Sequence, residues 1–299
     1  MGKGISLQVG GEPQFCCFEL CGVLADESAL KQAFECKGAS GRMLCMMCQT
    51  TCHKRLAPSP LPPRYVLHTE HNSDNFTLST DQSVWAIVDH LQHQAALPGL
   101  SKKKFADEEA RLGWNYCPDG ALLDIPLREH LRPVSVACYD SMHVYLVAGI
   151  WHRETGLLMN CLQSNGFRQV ALHEFSTAFV WPKIHGGKSC SARVVFQKQK
   201  GTDSEFKCSS SDALAIYPVL RSYLQNMIRD PPHELQLAIN SYYLCCDVLD
   251  ALKPAVVGAI TPAACHGDQH VLPKHHLAMH LAMQLQRRGG NGRGCFQAC

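Results

Sequence analysis

A chain of 299 residues with a formal charge of +2 is long enough to bury a sizeable core, and its balanced charge raises no global field toward nucleic acid or a membrane surface. No apolar run reaches the roughly 18 residues of a membrane span, and Met1 to Gly10 lacks the apolar core of an export signal. An odd total of 17 cysteines without such a signal reads as reduced thiols plus a metal site rather than a disulfide framework, with a nuclear or cytoplasmic location expected.

In chain order, Phe15 to Leu24 is a dense apolar run containing Cys16, Cys17 and Cys21, short enough to predict a buried strand. Asp26-Glu27 then opens a helix reaching about Phe34. A Lys37-Gly-Ala-Ser-Gly41 turn leads into Cys45-Met-Met-Cys48, followed by Cys52 and His53. Two thiolates at this spacing can occupy adjacent tetrahedral vertices of one Zn²⁺ while the turn between them donates backbone N–H groups to the sulfurs, which makes a zinc knuckle the first hypothesis. A catalytic redox pair is the rival, but such pairs usually open a helix after a strand, a context missing around Met46-Met47. Coincidental burial of small thiols is the third reading. The remaining metal ligands are to be drawn from Cys36, Cys52, His53, His68 and His71, and spacing does not choose among them. Four protein ligands would make the metal structural, with no open position for water chemistry.

Pro58 to Pro63, with four prolines in six residues, marks an exposed connector. Asp81 to Gln94 reads as a helix with Val84, Ile87, Val88 and Leu91 on one face, and Ser101 to Asp107 as a charged, solvated stretch. Val134 to Tyr139 alternates apolar positions after Pro133 and stops at Asp140, as a strand would. Apolar residues from Met142 to Leu162 then recur at helical spacing, with Gly149 and Gly156 weakening or bending that helix. Asp140 therefore sits where a strand hands over to a long helix, a place where functional groups gather in open α/β folds. Its plainer role is to cap the helix beside the positive end of the dipole, and His143, one turn in, is read as a packed or hydrogen-bonded residue.

Further helices are predicted from Ser211 to Met227 and around Leu235, Ala238, Tyr242 and Leu249, the latter carrying Asp247 and Asp250 on a solvated face. Basic runs at Lys183 to Lys188 and Lys198 to Lys200 could track a phosphate backbone, with ordinary surface charge as the default. His276 and His280, at i and i+4 with Cys265, His266 and His270 nearby, could grip a metal, but leucines flank them at core spacing, so packing or nucleic-acid contact is preferred. After Arg288 the Gly/Arg-rich end of the chain is expected to be disordered, as a tail over 287–299.

These landmarks resemble a known family. Asp140-Ser-Met-His143, following a strand and opening a helix, resembles the D-x-M-H signature of DDE transposases of the CACTA and Plavaka-like groups. The Ala25-Asp-Glu-Ser-Ala29 helix, the Lys37 to Gly41 turn and Cys45-x-x-Cys48 are similar to the segment that precedes that aspartate in those proteins. Gly120-Ala-Leu-Leu-Asp124 through Leu131-Arg-Pro-Val134, Lys207-Cys-Ser-Ser-Ser-Asp212 and Pro273-Lys-His-His-Leu-Ala-Met-His280 continue the match in the same order, from about Leu24 to Leu281.

The resemblance implies a single α/β domain over 1–286, an RNase H-like mixed sheet flanked by helices with a zinc-knuckle-like insertion at about 36–71. It also implies a DNA partner, a homo-oligomeric assembly, and two Mg²⁺ ions held by three carboxylates for DNA strand cleavage and transfer. On this reading Asp140 is the second acid, Asp212 the third and Glu154 its reserve. Asp212 also fits a helix-capping role after Ser209. Lys188, Lys198, Lys200, His276 and His280 are the expected nucleic-acid contacts. No residue matches the family's first acid, since Glu19 is the sole acid in the strand-like run, so an N-terminally incomplete and degenerate element is expected. The alternative is a non-catalytic, zinc-stabilised module that binds nucleic acid or protein.

Overall fold

The computed structural model describes residues 5–16, 20, 22–51, 66–70, 72–183, 190–198, 206–252, 277, 280, 281, 283 and 284. They fall into two compact units, one within Met1–Leu67 and Phe76–Cys138, the other within His68–Asn75 and Tyr139–Gly292. The protein is mixed α/β and mostly helical.

The first unit opens with an antiparallel hairpin of β1 (Ile5–Val9) and β2 (Glu12–Cys16). Gly10 and Gly11 make its turn with φ of 63° and 88°, the left-handed pair that matches the twist of a tight hairpin. Phe15 is 71% exposed in this two-stranded ribbon, and Leu20 and Leu24 are exposed as well. The buried strand expected from Phe15 to Leu24 is thus divided between β2 and a separate short β3 (Val23–Ala25), because a ribbon of two strands has no second layer to cover its apolar side chains. The Asp26 carboxylate accepts from the Ala29 N–H at 2.6 Å and opens α1 (Glu27–Phe34), which buries Leu30 and Phe34, as the sequence predicts.

β4 (Thr50–Thr51) and β5 (Val66–Leu67) pair in parallel. α2 (Asp81–Ala95) begins at a Thr80/Ser83 capping box and buries Val84, Val88 and Leu91 along the predicted face. The charged stretch after Ser101 is itself a helix, α3 (Lys102–Leu112), with no fully buried residue. A short α4 (Ile125–Arg128) follows, held by Arg128, whose guanidinium donates to the Asp89 carboxylate at 2.6 and 3.1 Å.

Where a strand was expected from Val134 to Tyr139, a helical turn, α5 (Pro133–Val136), precedes a three-residue β6 (Ala137–Tyr139) that pairs with β3. The cause is tertiary. Asp81 Oδ1 accepts from the N–H groups of Val134 and Ser135 at 2.8 and 3.1 Å, and Oδ2 accepts from the Ser135 hydroxyl, so the first free donors of the turn are met by a carboxylate on another helix. Every sheet among the described residues has two strands, and β4 with β5 is parallel.

In the second unit the long helix expected from Met142 to Leu162 is two helices, α6 (Ser141–Tyr145) and α7 (Ile150–Ser164). Ala148 turns the chain at φ 45°. Gly149 follows, where a Cβ would run into the backbone of Val144 and Tyr145. After α8 (Gln169–Ala178) and a 3₁₀ segment (Ser191–Lys198), α9 (Ser210–Met227) and α10 (His233–Leu252) match the predicted helices. Trp151, Leu158 and Leu162 of α7, Ile216 and Leu220 of α9, and Leu235 and Tyr242 of α10 are essentially inaccessible and form the core. Tyr242 donates to the Tyr217 carbonyl at 3.1 Å, which satisfies its hydroxyl inside that core. Asp247 and Asp250 lie on the exposed side, as expected, and both accept from Arg221.

Candidate metal centre

The cysteine loop of the first unit is fixed before either sulfur is considered. The end of α3 is stitched to the segment after α1: Lys37 N–H donates to Gly113 O at 2.8 Å, Asn115 N–H to Glu35 O at 2.8 Å, and Arg42 N–H to Ala110 O at 2.7 Å. Gly113 caps α3 at φ 78°, and a Cβ there would lie 2.7 Å from the Met43 carbonyl, so this close approach requires glycine. The loop then closes on itself, with Leu44 N–H donating to Thr50 O at 3.0 Å and the Thr51 hydroxyl to Arg42 O at 2.8 Å. A neighbouring strand-like segment holds its other edge, through Gln49 N–H to Thr77 O and Ser79 N–H to Met47 O, both 2.9 Å.

Within this frame Cys45 and Cys48 are 4% and 0% exposed, and their sulfurs lie within 4.8 Å of each other. The Met47 N–H donates to Cys45 Sγ at 3.3 Å, the sulfur-directed backbone donor that the knuckle hypothesis calls for. Cys48 Sγ is 2.8 Å from Thr50 Oγ1. Burial pushes the Cys48 thiol far above its usual range, the adjacent Cys45 pushes it further, and the Thr50 hydroxyl works in the opposite direction. A thiol buried as Cys48 is holds its proton unless a cation compensates the charge, and the pair could hold a metal ion with soft, sulfur-binding character. Met46 and Met47 are buried beside them, so the hairpin has none of the solvent access of a thiol-exchange site.

The other proposed ligands divide by location. Cys36 is buried and bridged to Trp114, and its thiol is raised to about 12, by burial first and then by Cys45, yet its sulfur does not join the pair within 4.8 Å. His68 is half-buried after β5. Cys52, His53 and His71 lie outside the described residues. The signal missed in the sequence is Thr50: a hydroxyl two residues beyond a C-x-x-C can reach the second sulfur, but only the folded loop tells Thr50 from Thr51, whose hydroxyl turns to Arg42.

The three acids sit in the second unit. Asp140 follows β6 as expected, but its carboxylate caps α6, accepting from Met142 N–H at 2.9 Å and from His143 Nδ1. Asp212 accepts from the Ser209 hydroxyl at 2.8 Å and from the Ser191 hydroxyl, while its own N–H donates to Ser209 Oγ at 3.1 Å. Glu154 is 2% exposed in α7 and accepts from the Ser241 hydroxyl at 2.7 Å. The oxygens of these three do not fall together within 4.8 Å, so the described residues do not assemble them into one carboxylate cluster.

Of the expected nucleic-acid contacts, Lys188, Lys200 and His276 lie outside the described residues, as does the side chain of Lys198. His280 is 2% exposed, which removes it from a surface contact. Glu19 and the tail also lie outside the described residues, and among those described no helix is long and apolar enough to cross a membrane. The chain matches no known family, no curated protein and no solved structure.

Proposed function

We propose that the first unit carries a structural Zn²⁺ on Cys45 and Cys48 and that the chain acts as a non-catalytic, zinc-stabilised binding module. The observation that carries this reading is a buried pair of sulfurs, one accepting a backbone N–H and the other hydrogen-bonded to a hydroxyl, in a loop closed by its own backbone bonds. Zinc supplies folding free energy there by holding the loop, and four protein ligands leave no position for water activation. Cys52 and His53, next in sequence, are the proposed continuation of the ligand set. The test is metal stoichiometry on the purified protein, wild type against Cys45→Ser and Cys48→Ser. About one zinc per chain, lost in both variants, is expected; zinc retained in either variant removes the pair as ligands.

A second reading rests on Asp140 standing at the carboxyl end of β6 and opening a helix, the position the transposase resemblance assigns to an acid. On it the chain descends from an RNase H-like DDE transposase with DNA as its partner, and Mg²⁺ for strand cleavage would have to be held by Asp140 with Asp212 or Glu154, three acids that do not form one cluster among the described residues. A Mg²⁺- or Mn²⁺-dependent nicking assay with Asp140→Asn tests it. No wild-type cleavage, or cleavage that the substitution leaves unchanged, disposes of the nuclease.

A further inference from the structure

The two sulfurs of the proposed zinc pair have hydrogen-bond partners of different kinds, and the difference points to a residue with a role at the metal. Cys45 Sγ receives a backbone N–H, from Met47, which no substitution short of proline deletes. Cys48 Sγ faces a side-chain hydroxyl, Thr50 Oγ1, at 2.8 Å. Thr50 is 0% exposed, so its hydroxyl has no route to bulk water. Its backbone is pinned on both sides, with its N–H donating to Cys48 O at 3.0 Å and its carbonyl accepting from Leu44 N–H at 3.0 Å. While Cys48 is a thiol, either group can donate. A metal-bound thiolate has no proton, so the hydroxyl must then be the donor and the sulfur the acceptor.

We propose that Thr50 is a positioning residue of the metal centre, its hydroxyl donating to the Cys48 thiolate so as to fix the sulfur's direction and offset part of its charge. This rests on the zinc reading of Cys45 and Cys48. Partners of this kind, one bond removed from the metal, typically change its affinity by about 10- to 100-fold when removed. Thr51, adjacent and equally buried, makes no such contact because its hydroxyl is committed to the Arg42 carbonyl, and it serves as the internal control.

The experiment uses the full chain as wild type, Thr50→Val, Thr50→Ser and Thr51→Val. Valine keeps the shape and removes the hydroxyl; serine keeps the hydroxyl. Zn²⁺ affinity is measured by competition with a chromophoric chelator, and the Co²⁺ form is read by its sulfur-to-metal charge-transfer band. The expected result is affinity lower by about 10- to 100-fold in Thr50→Val with a shifted band, wild-type behaviour in Thr50→Ser, and little change in metal affinity in Thr51→Val. Thr50→Val binding within about threefold of wild type, or Thr50→Ser failing to restore the wild-type band, overturns the proposal while leaving the zinc pair standing. Zinc absent from wild type removes both. Should Thr50→Val fail to fold, proton NMR of the wild-type cadmium form decides instead, since coupling between the Thr50 hydroxyl proton and the metal through Cys48 sulfur is required and its absence refutes the donor role.

Discussion

Asp81→Ala tests how one helix dictates the conformation of a distant segment. Asp81 is the first residue of α2 and is 8% exposed, yet its carboxylate serves α5, accepting from Val134 and Ser135 N–H at 2.8 and 3.1 Å and from the Ser135 hydroxyl. Pro133 has no N–H to offer, so these two amides are the first donors of the turn, and removal of the carboxylate leaves both without it. Hydrogen bonds to an ionised acceptor contribute about 1.5–3 kcal/mol each, and loss of a helix cap costs about 1 kcal/mol. The bonds share one side chain and are not additive, so we expect about 3 kcal/mol, and about half that for Asp81→Asn, which keeps a neutral acceptor. With a urea slope of about 1–3 kcal/mol per molar, the midpoint of the first unit's transition falls by about 1–3 M. Amide hydrogen exchange at Val134 and Ser135 should accelerate in step. A destabilisation below about 0.5 kcal/mol, with exchange unchanged, would show that α5 forms without this carboxylate and refute the tertiary account of the lost strand.

Other expectations follow from individual contacts. Ser241→Ala removes the hydroxyl that donates to the buried Glu154 carboxylate at 2.7 Å and should cost about 1–3 kcal/mol in thermal or urea unfolding; an unchanged melt would separate Ser241 from the support of that carboxylate. Glu108 is held down to about 2 from its ordinary 4.5, chiefly by its hydrogen bonds from Arg111 and then by His90, against the opposing effect of burial. A carboxyl lowered on folding stabilises above its unfolded value and loses that contribution as pH falls through the folded one. The melting difference between wild type and Glu108→Gln should therefore be constant at neutral pH and shrink between about pH 4.5 and 2; a difference that grows on acidification would reverse the assigned sign. Gly113→Ala forces a Cβ to 2.7 Å from the Met43 carbonyl at φ 78° and should cost at least about 1–2 kcal/mol, read by thermal melting. A neutral effect would mean the α3 end can withdraw from the cysteine loop.

The parts legible in sequence were those where local chemistry and burial agree. Asp26 before Glu27–Phe34, and the Val84, Val88 and Leu91 stripe, identify α1 and α2 because a cap and a 3.6-residue period suffice to define a helix that packs on one face. Cys45 and Cys48 were legible as a pair because two residues of turn leave their sulfurs little freedom to separate. Of the strand expected at Val134–Tyr139, Ala137–Tyr139 forms, while Val134–Val136 is a helical turn because alternation says nothing of a carboxylate arriving from residue 81. Likewise, apolar spacing from Met142 to Leu162 is continuous across Gly149, while the chain leaves helical conformation at Ala148, φ 45°, and turns so tightly at Gly149 that a Cβ would not fit.

Among the acids the same division holds. Sequence alone places Asp140 before a helix, Asp212 after a capping serine and Glu154 within an apolar stretch, since each is a local property of the chain. Which partners each carboxylate takes depends on where residues far away in the chain come to rest. Ser241 reaches Glu154 from 87 positions on, Ser191 reaches Asp212 from 21 positions back, and Asp140 turns inward to its own helix. Hydrogen-bond partners of a buried or half-buried acid are chosen by the packing of whole helices, a global property, whereas caps and turns are settled within a few residues. That is why the chain by itself specified the thiol pair and most of the helices, and only the folded structure decided that its candidate acids stand apart.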